Sequence, residues 1–170
     1  MGKIGLAVTP ANPNLVYATI EADDGEKGFY RSTDKGESWE KQNDYISGGT
    51  GPHYYQEIEA SPQDPVLVYQ MDVFLHVTRD GGKTFDYLGT GREKHSDNHA
   101  LWIDPADTDH FLIGGDGGVY ETYDGGSHYQ FKSNLPITQF YRVAVDTKEP
   151  FYNVFGGTQD NRTLGAPSMT

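Results

Sequence analysis

The 170-residue chain contains no cysteine, which excludes disulfides and thiolate metal sites and leaves the redox compartment unreadable from thiols. It also lacks a basic stripe: 13 Lys and Arg stand against 25 Asp and Glu, a formal net charge of -12. Such a surface repels a phosphate backbone, so no nucleic-acid partner is expected. No apolar run approaches the length of a membrane-spanning helix, and the start, Met1-Gly2-Lys3-Ile4-Gly5, has no signal-peptide hydrophobic region. These absences leave a cytoplasmic protein, or an internal piece without its leader, and no membrane span. Apolar residues nowhere recur at a sustained helical period.

What is present favours strands. The hydrophobic fraction is 35%, enough for a core, and it is weighted toward 12 Tyr, 8 Phe and 2 Trp beside 21 Gly and 9 Pro. Aromatic residues suit a pleated surface, whereas Gly and Pro break helices. A motif then recurs: Ser32-Thr33-Asp34-Lys35-Gly36-Glu37-Ser38-Trp39, Thr78-Arg79-Asp80-Gly81-Gly82-Lys83-Thr84-Phe85 and Thr122-Tyr123-Asp124-Gly125-Gly126-Ser127-His128-Tyr129. The aspartates lie 46 and then 44 residues apart, a period that marks propellers and other repeat arrays.

Around each motif the same order of strands is read. The first unit has Ile4, Leu6 and Val8 on one face of a strand, a turn at Pro10 to Asn14, a strand from Leu15 to Ile20, an acidic loop, a strand around Phe29 and a last one at Trp39-Glu40-Lys41. The pattern repeats from Glu57 and from Ala100, and a fourth unit beginning at Tyr141 reaches Gln159-Asp160-Asn161 without an Asp motif. The fold class expected is all-β, a β-propeller fragment of four-stranded antiparallel blades, about three and a half of them. It forms a single partial propeller over residues 1–170, with units near 3–45, 53–90, 97–134 and 138–164, the last incomplete. Closed propellers carry four to eight blades, so absent chain or self-association is expected to supply the remainder of the ring. Asp34, Asp80 and Asp124 are read as structural, because a tight turn needs Gly at positive φ and a carboxylate to accept the turn's N–H groups.

These motifs resemble the Asp-boxes, or BNR repeats, of sialidase-like, sortilin-like and xyloglucanase-like β-propellers. The longer series is similar to the interior of large bacterial secreted proteins described as glycosyl hydrolase-like or sortilin N-terminal-domain-like. That series is Ala7-Val8-Thr9-Pro10-Ala11-Asn12-Pro13, Ile20-Glu21-Ala22, His53-Tyr54-Tyr55, His95-Ser96-Asp97-Asn98-His99, Trp102-Ile103-Asp104-Pro105, Gly114-Gly115-Asp116-Gly117-Gly118, and Gln139-Phe140-Tyr141 with Gln159-Asp160-Asn161. The resemblance implies an extracellular or periplasmic protein that takes a carbohydrate or a protein or peptide ligand. It implies no cofactor. His128 departs from the pattern, standing where the Asp-box has Ser or Thr.

In an up-and-down blade, the turn between the first two strands and the Asp motif share one face, while the middle turn and the inter-blade connection share the other. The second face thus collects the candidate ligand-binding residues His53, Tyr54, Tyr55, His95, His99, Gln159 and Asn161, and the candidate catalytic carboxylates Glu21, Asp97, Asp116 and Asp160. Two carboxylates about 5 to 10 Å apart are what glycoside hydrolysis needs. By resemblance Glu21 matches an acidic catalytic position of xyloglucanase-like propellers, whose partner carboxylate comes from a second propeller. Arg31, Arg79, Arg92, Arg142 and Arg162 form no sialidase-type triad. Residues two apart on an extended segment point the same way, so His95, Asp97 and His99 are the one alternative for a metal; the other reading is that they cap loop backbone and bind each other. Binding without chemistry, as in a sortilin-like interaction module, is the alternative to a polysaccharide-active propeller.

Overall fold

The computed structural model describes residues 2–23, 25–44, 56–89, 93–135, 137–160 and 162–169. The expectations for His53, Tyr54, Tyr55, Arg92 and Asn161 therefore lie outside the described residues. Among the described residues every element is a strand. The first sheet is β1 (Ile4–Val8), β2 (Val16–Ile20), β3 (Gly28–Ser32) and β4 (Glu40–Asn43). The second is β5 (Glu57–Ala60), β6 (Val68–Met71), β7 (Leu75–Thr78) and β8 (Asp86–Tyr87). The third is β9 (Asn98–Ile103), β10 (Phe111–Gly115), β11 (Gly118–Thr122) and β12 (Gln130–Phe131). The fourth has β13 (Phe140–Val145), β14 (Asn153–Thr158) and β15 (Thr163–Pro167). Each strand pairs antiparallel with its neighbour in sequence. The expected half unit thus gains a third strand, with Val154 opposite Ala166 and Gly156 opposite Leu164.

The chain divides into two compact units, Met1–Lys132 with the first three sheets and Ser133–Thr170 with the fourth. Within the first unit the sheets pack face to face. Ala7, Leu15, Tyr17 and Phe29 of the first meet Ile58, Ala60, Val68 and Phe85 of the second. Tyr69, Met71, Leu75 and Val77 on the other face of the second meet Ile103, Phe111, Ile113 and Tyr129 of the third. The second sheet is therefore covered on both faces, and all four residues of β6 are buried. Alternation of side chains along a strand makes this possible, since each face of the middle sheet has its own apolar set.

β1 shows how pattern and packing can differ. Ile4, Leu6 and Val8 do share a face, but it is the exposed one, with Leu6 at 62% and Val8 at 68% accessibility. The packed face is Gly5 and Ala7. A Cβ at Gly5 would fall 1.7 Å from the Gln56 carbonyl oxygen, so close approach of β1 to the second sheet requires glycine there.

The three Asp motifs close one end of these sheets. The Asp80 carboxylate accepts hydrogen bonds from Thr78 Oγ1 (2.8 Å), the Lys83 and Thr84 amides (both 2.9 Å) and Thr84 Oγ1 (2.7 Å). Asp34 takes the equivalent bonds from Ser32 and Ser38. At Asp124 the His128 amide and Nδ1 replace the last Ser or Thr, at 2.9 and 2.7 Å. Each turn then donates an amide to the turn joining the first two strands of its own sheet: Lys35 to Asn14, Gly81 to Val66 and Gly125 to Asp109. Of the motif aromatics, Phe85 and Tyr129 pack back onto the preceding sheet, whereas Trp39 is 41% exposed.

The outer face of the third sheet is polar where the second sheet's corresponding face is apolar. Leu15, Leu67 and His110 occupy matching positions, each donating its amide to the residue three before it. His110 is stacked on Tyr123 at 4.4 Å, with Trp102 edge-on at 5.8 Å. Its Nδ1 meets Asp104 Oδ2 at 3.2 Å, its Nε2 meets Glu121 Oε1 at 2.9 Å, and Lys132 binds the other Glu121 oxygen.

Two tests follow from the hairpins. Lys35 has φ 62° where the second and third motifs carry Gly81 and Gly125 at 73° and 64°. An L-residue is strained in this region, so Lys35→Gly is expected to stabilise the chain by roughly 0.5–1 kcal/mol in chemical denaturation. Near neutral pH only the third hairpin titrates, whereas Asp34 and Asp80, held at about 2 by their hairpin bonds, lose theirs in acid. Its hydrogen bond from His128 holds Asp124 at about 2, and the same bond raises His128 above its usual value. A raised basic group contributes fully below its unfolded pKa and loses that contribution as pH rises through the folded one. Stability relative to His128→Ser should therefore be highest below pH about 6.5 and fall above it, as read by thermal unfolding across pH.

Candidate functional site

The end of the first unit opposite the Asp motifs is built from the turns after β2, β6 and β10 and the segments leading into β5 and β9. Glu21 follows β2. Its side chain accepts the Lys3 amide at 3.1 Å, and its own amide and carbonyl bond to Lys3 and Gly2. Lys3 Nζ reaches Glu57 Oε1 at 3.2 Å, tying this corner to the second sheet.

Residues 94–98 form the junction between the second and third sheets. The Asp97 and Asn98 amides donate to the Val73 and Asp72 carbonyls, at 2.9 and 3.0 Å, and Asn98 Nδ2 donates to the same two oxygens. From the other side the Asp116 amide donates to the Asp97 carbonyl at 3.2 Å. The glycine-rich turn is cut to this segment: a Cβ at Gly115 would lie 2.2 Å from Asp97 O, and one at Gly117 2.2 Å from the His95 Cβ. Asn98 is 2% exposed, so its amide substitutes for backbone pairing that the irregular junction cannot provide.

Asp97 has φ 65°, and this kink interrupts the alternation on which a shared direction for His95, Asp97 and His99 depends. Asp97 Oδ2 instead accepts Ser96 Oγ at 2.6 Å, with His95 Nδ1 at 3.8 Å. His95 Nδ1 also lies 3.0 Å from Ser96 O. His99 turns to the third sheet, where Nε2 lies 3.3 Å from Asp116 Oδ1. The arrangement is two histidine–carboxylate pairs, His95 with Asp97 and His99 with Asp116, all partly accessible. Among the described residues no group of three His, Asp or Glu side chains is disposed to hold a metal ion.

Gln159 and Asp160 belong to the second unit, in the turn after β14. The Gln159 amide donates to Gln139 O at 3.1 Å, and Asp160 O accepts from Thr158 Oγ1 and the Arg162 amide.

Beside His95 opens a cavity of about 520 Å³ between the second and third sheets. Phe74, Tyr87, Leu88 and Tyr120 line it together with Glu93, Lys94, His95 and Ser96. Phe74 and Tyr87 meet edge to face at 5.5 Å and are about half exposed. Of these residues sequence reasoning had singled out only His95. The others carry no repeated motif and come from separate segments of the chain. Hydroxyl, carboxylate and ammonium groups in one cavity with aromatic rings suit a ligand with both polar and apolar faces.

Gly115→Ala should lower stability by about 1–3 kcal/mol, because the backbone oxygen of Asp97 cannot withdraw without breaking the junction. Gly114→Ala, whose Cβ would meet only Ala100 at 3.8 Å, is the tolerated control in the same denaturation experiment.

No protein-family profile and no curated protein sequence matches the chain. Solved structures do. A GH74 enzyme from Niastella koreensis superposes with TM-score 0.65 at 17% identity, over 96% of this chain and 28% of that one. The GH74 xyloglucanase from Xanthomonas campestris gives 0.59 at 18% identity, over 95% and 28%. YCF48 from Cyanidioschyzon merolae gives 0.51 at 11%, over 96% and 55%. The chain therefore spans 28% of the length of these two GH74 structures. At these identities the likeness shows the fold alone: the chain is a β-propeller segment.

Proposed function

We propose that this chain is part of a larger glycosyl hydrolase-like propeller and binds carbohydrate at the end opposite the Asp motifs. The observation that carries the reading is the juxtaposition at one junction of two histidine–carboxylate pairs with a cavity walled by Phe74, Tyr87 and Tyr120. Sugar rings present apolar C–H faces to aromatic side chains and hydroxyls to carboxylates and imidazoles. The likeness to the Niastella and Xanthomonas enzymes supports the same ligand class by analogy of fold. In a hydrolytic version Asp97 and Asp116 are the candidate acid and base, with Glu21 as a third carboxylate at the same end.

One set of contacts favours binding without hydrolysis. Glu21 is bonded to the Lys3 amide, Asp97 to Ser96 and Asp116 to His99, so each carboxylate already has a structural task. This supports the reading of a non-catalytic module, whose ligand is then a sugar or a peptide.

The test is a glycan array together with release of reducing ends from β-glucan polysaccharides, run on wild type, Glu21→Gln and Asp97→Asn. Asn tolerates positive φ, so Asp97→Asn keeps the kink while removing the charge. Sugar retention lowered tenfold or more by either variant is expected. Wild-type binding with no reducing-end release selects the non-catalytic form, and no sugar retention by wild type overturns the carbohydrate reading.

A further inference from the structure

Lys94 lies in the 520 Å³ cavity but takes part in none of the pairs described above. Its Nζ donates to His95 O at 2.9 Å and to Asn98 Oδ1, and sits 5.8 Å from the centre of the Tyr129 ring. A tetrahedral nitrogen bonded to Cε and held by two acceptors has one position left. In the ammonium form that position is a proton; in the neutral amine it is the lone pair, already oriented by the other two bonds. Burial lowers Lys94 to about 8, against the opposing charge of Asp97. A desolvated lysine of this kind is about one-tenth neutral at pH 7, far more than an exposed lysine, and is a nucleophile toward carbonyl carbon.

The surroundings select the electrophile. Glu93 lines the same cavity and Asp97 acts on the amine, so an anionic ligand is disfavoured. The aromatic lining of the cavity, Phe74, Tyr87 and Tyr120, favours a flat or ring-shaped apolar body. We propose that the cavity between the second and third sheets is a site for small uncharged aldehydes, and that Lys94 condenses with them to form a reversible imine. The Nζ lone pair adds to the carbonyl carbon as the C=O π bond breaks, giving a carbinolamine after proton transfer from nitrogen to oxygen. The nitrogen loses its second proton, the C–O bond breaks, and the protonated hydroxyl leaves as water. One amine and one aldehyde thus yield one imine and one water, with no oxidant or reductant. Hydrolysis by the same route returns the lysine. This site shares its cavity and aromatic lining with the carbohydrate reading, but its reacting group is the Lys94 amine and neither histidine–carboxylate pair.

The experiment treats the folded protein with benzaldehyde and cyanoborohydride at pH 7, the borohydride serving only to trap the imine, and maps benzylated lysines by peptide mass spectrometry. Lys94 is expected to label at least about tenfold faster than the exposed Lys35, Lys83 and Lys148, because far more of it is neutral at that pH. Formaldehyde, which needs no aromatic wall, is the second probe. In the Phe74→Ala, Tyr87→Ala double variant the benzaldehyde rate at Lys94 should fall at least about fivefold relative to the formaldehyde rate. Labelling of Lys94 no faster than of the exposed lysines overturns the nucleophile. An unchanged ratio of the two aldehydes in the double variant overturns the site.

Discussion

The carboxylate that folds back on its own hairpin is the constraint on which the rest depends. Asp80 gathers four hydrogen bonds within seven residues, and the turn so fixed docks by the Gly81 amide on the turn between β5 and β6. Gly82, at φ 99°, lies against the Phe29 ring, where a Cβ would be 2.3 Å away. One short motif thus does three things: it ends a hairpin, joins the two halves of a sheet and lets the neighbouring sheet approach. Because bonds from flanking hydroxyls and amides hold these carboxylates at about 2, the closure stays intact over the whole neutral range.

Closing one end regularly leaves the other end free to be irregular. There the second and third sheets are joined by Asn98, by the kink at Asp97 and by the glycine turn that follows β10. Backbone groups that a regular ladder would pair are met instead by side chains, and that is where imidazoles, carboxylates and an ammonium come within a few ångströms of one another. Polarity at this end follows from the loss of regular pairing.

The fold was legible because its determinants are local and repeated. Period, turn chemistry and strand alternation are all properties of a few adjacent residues, and the propeller likeness of the solved structures agrees with the all-β reading. Alternation alone did not say which face of β1 packs: Ile4, Leu6 and Val8 look like a buried set, but Gly5 and Ala7 take the inner side because of how near the second sheet lies. The fourth unit's last strand escaped notice because Thr163–Pro167 carries Gly and Pro and no Asp motif precedes it. At the candidate site, residue types could be sorted to one end by topology, whereas their pairing could not. His95 and His99 part company at a single positive φ, and the cavity residues Phe74, Tyr87 and Lys94 come from separate segments of the chain.

The two outer faces of the three-sheet stack differ chemically. One is aliphatic, with Ile4, Leu6 and Val8 standing in a row; the other presents Asp104, His110, Glu121 and Lys132 around exposed Trp102 and Tyr123. A two-fold contact of the charged face with itself would desolvate eight ionisable groups, an expense that only a complementary polar surface offsets. The stack therefore has a direction, like a stud and a socket, and whatever surface meets the third sheet must be chosen by charge where the surface meeting the first is chosen by shape.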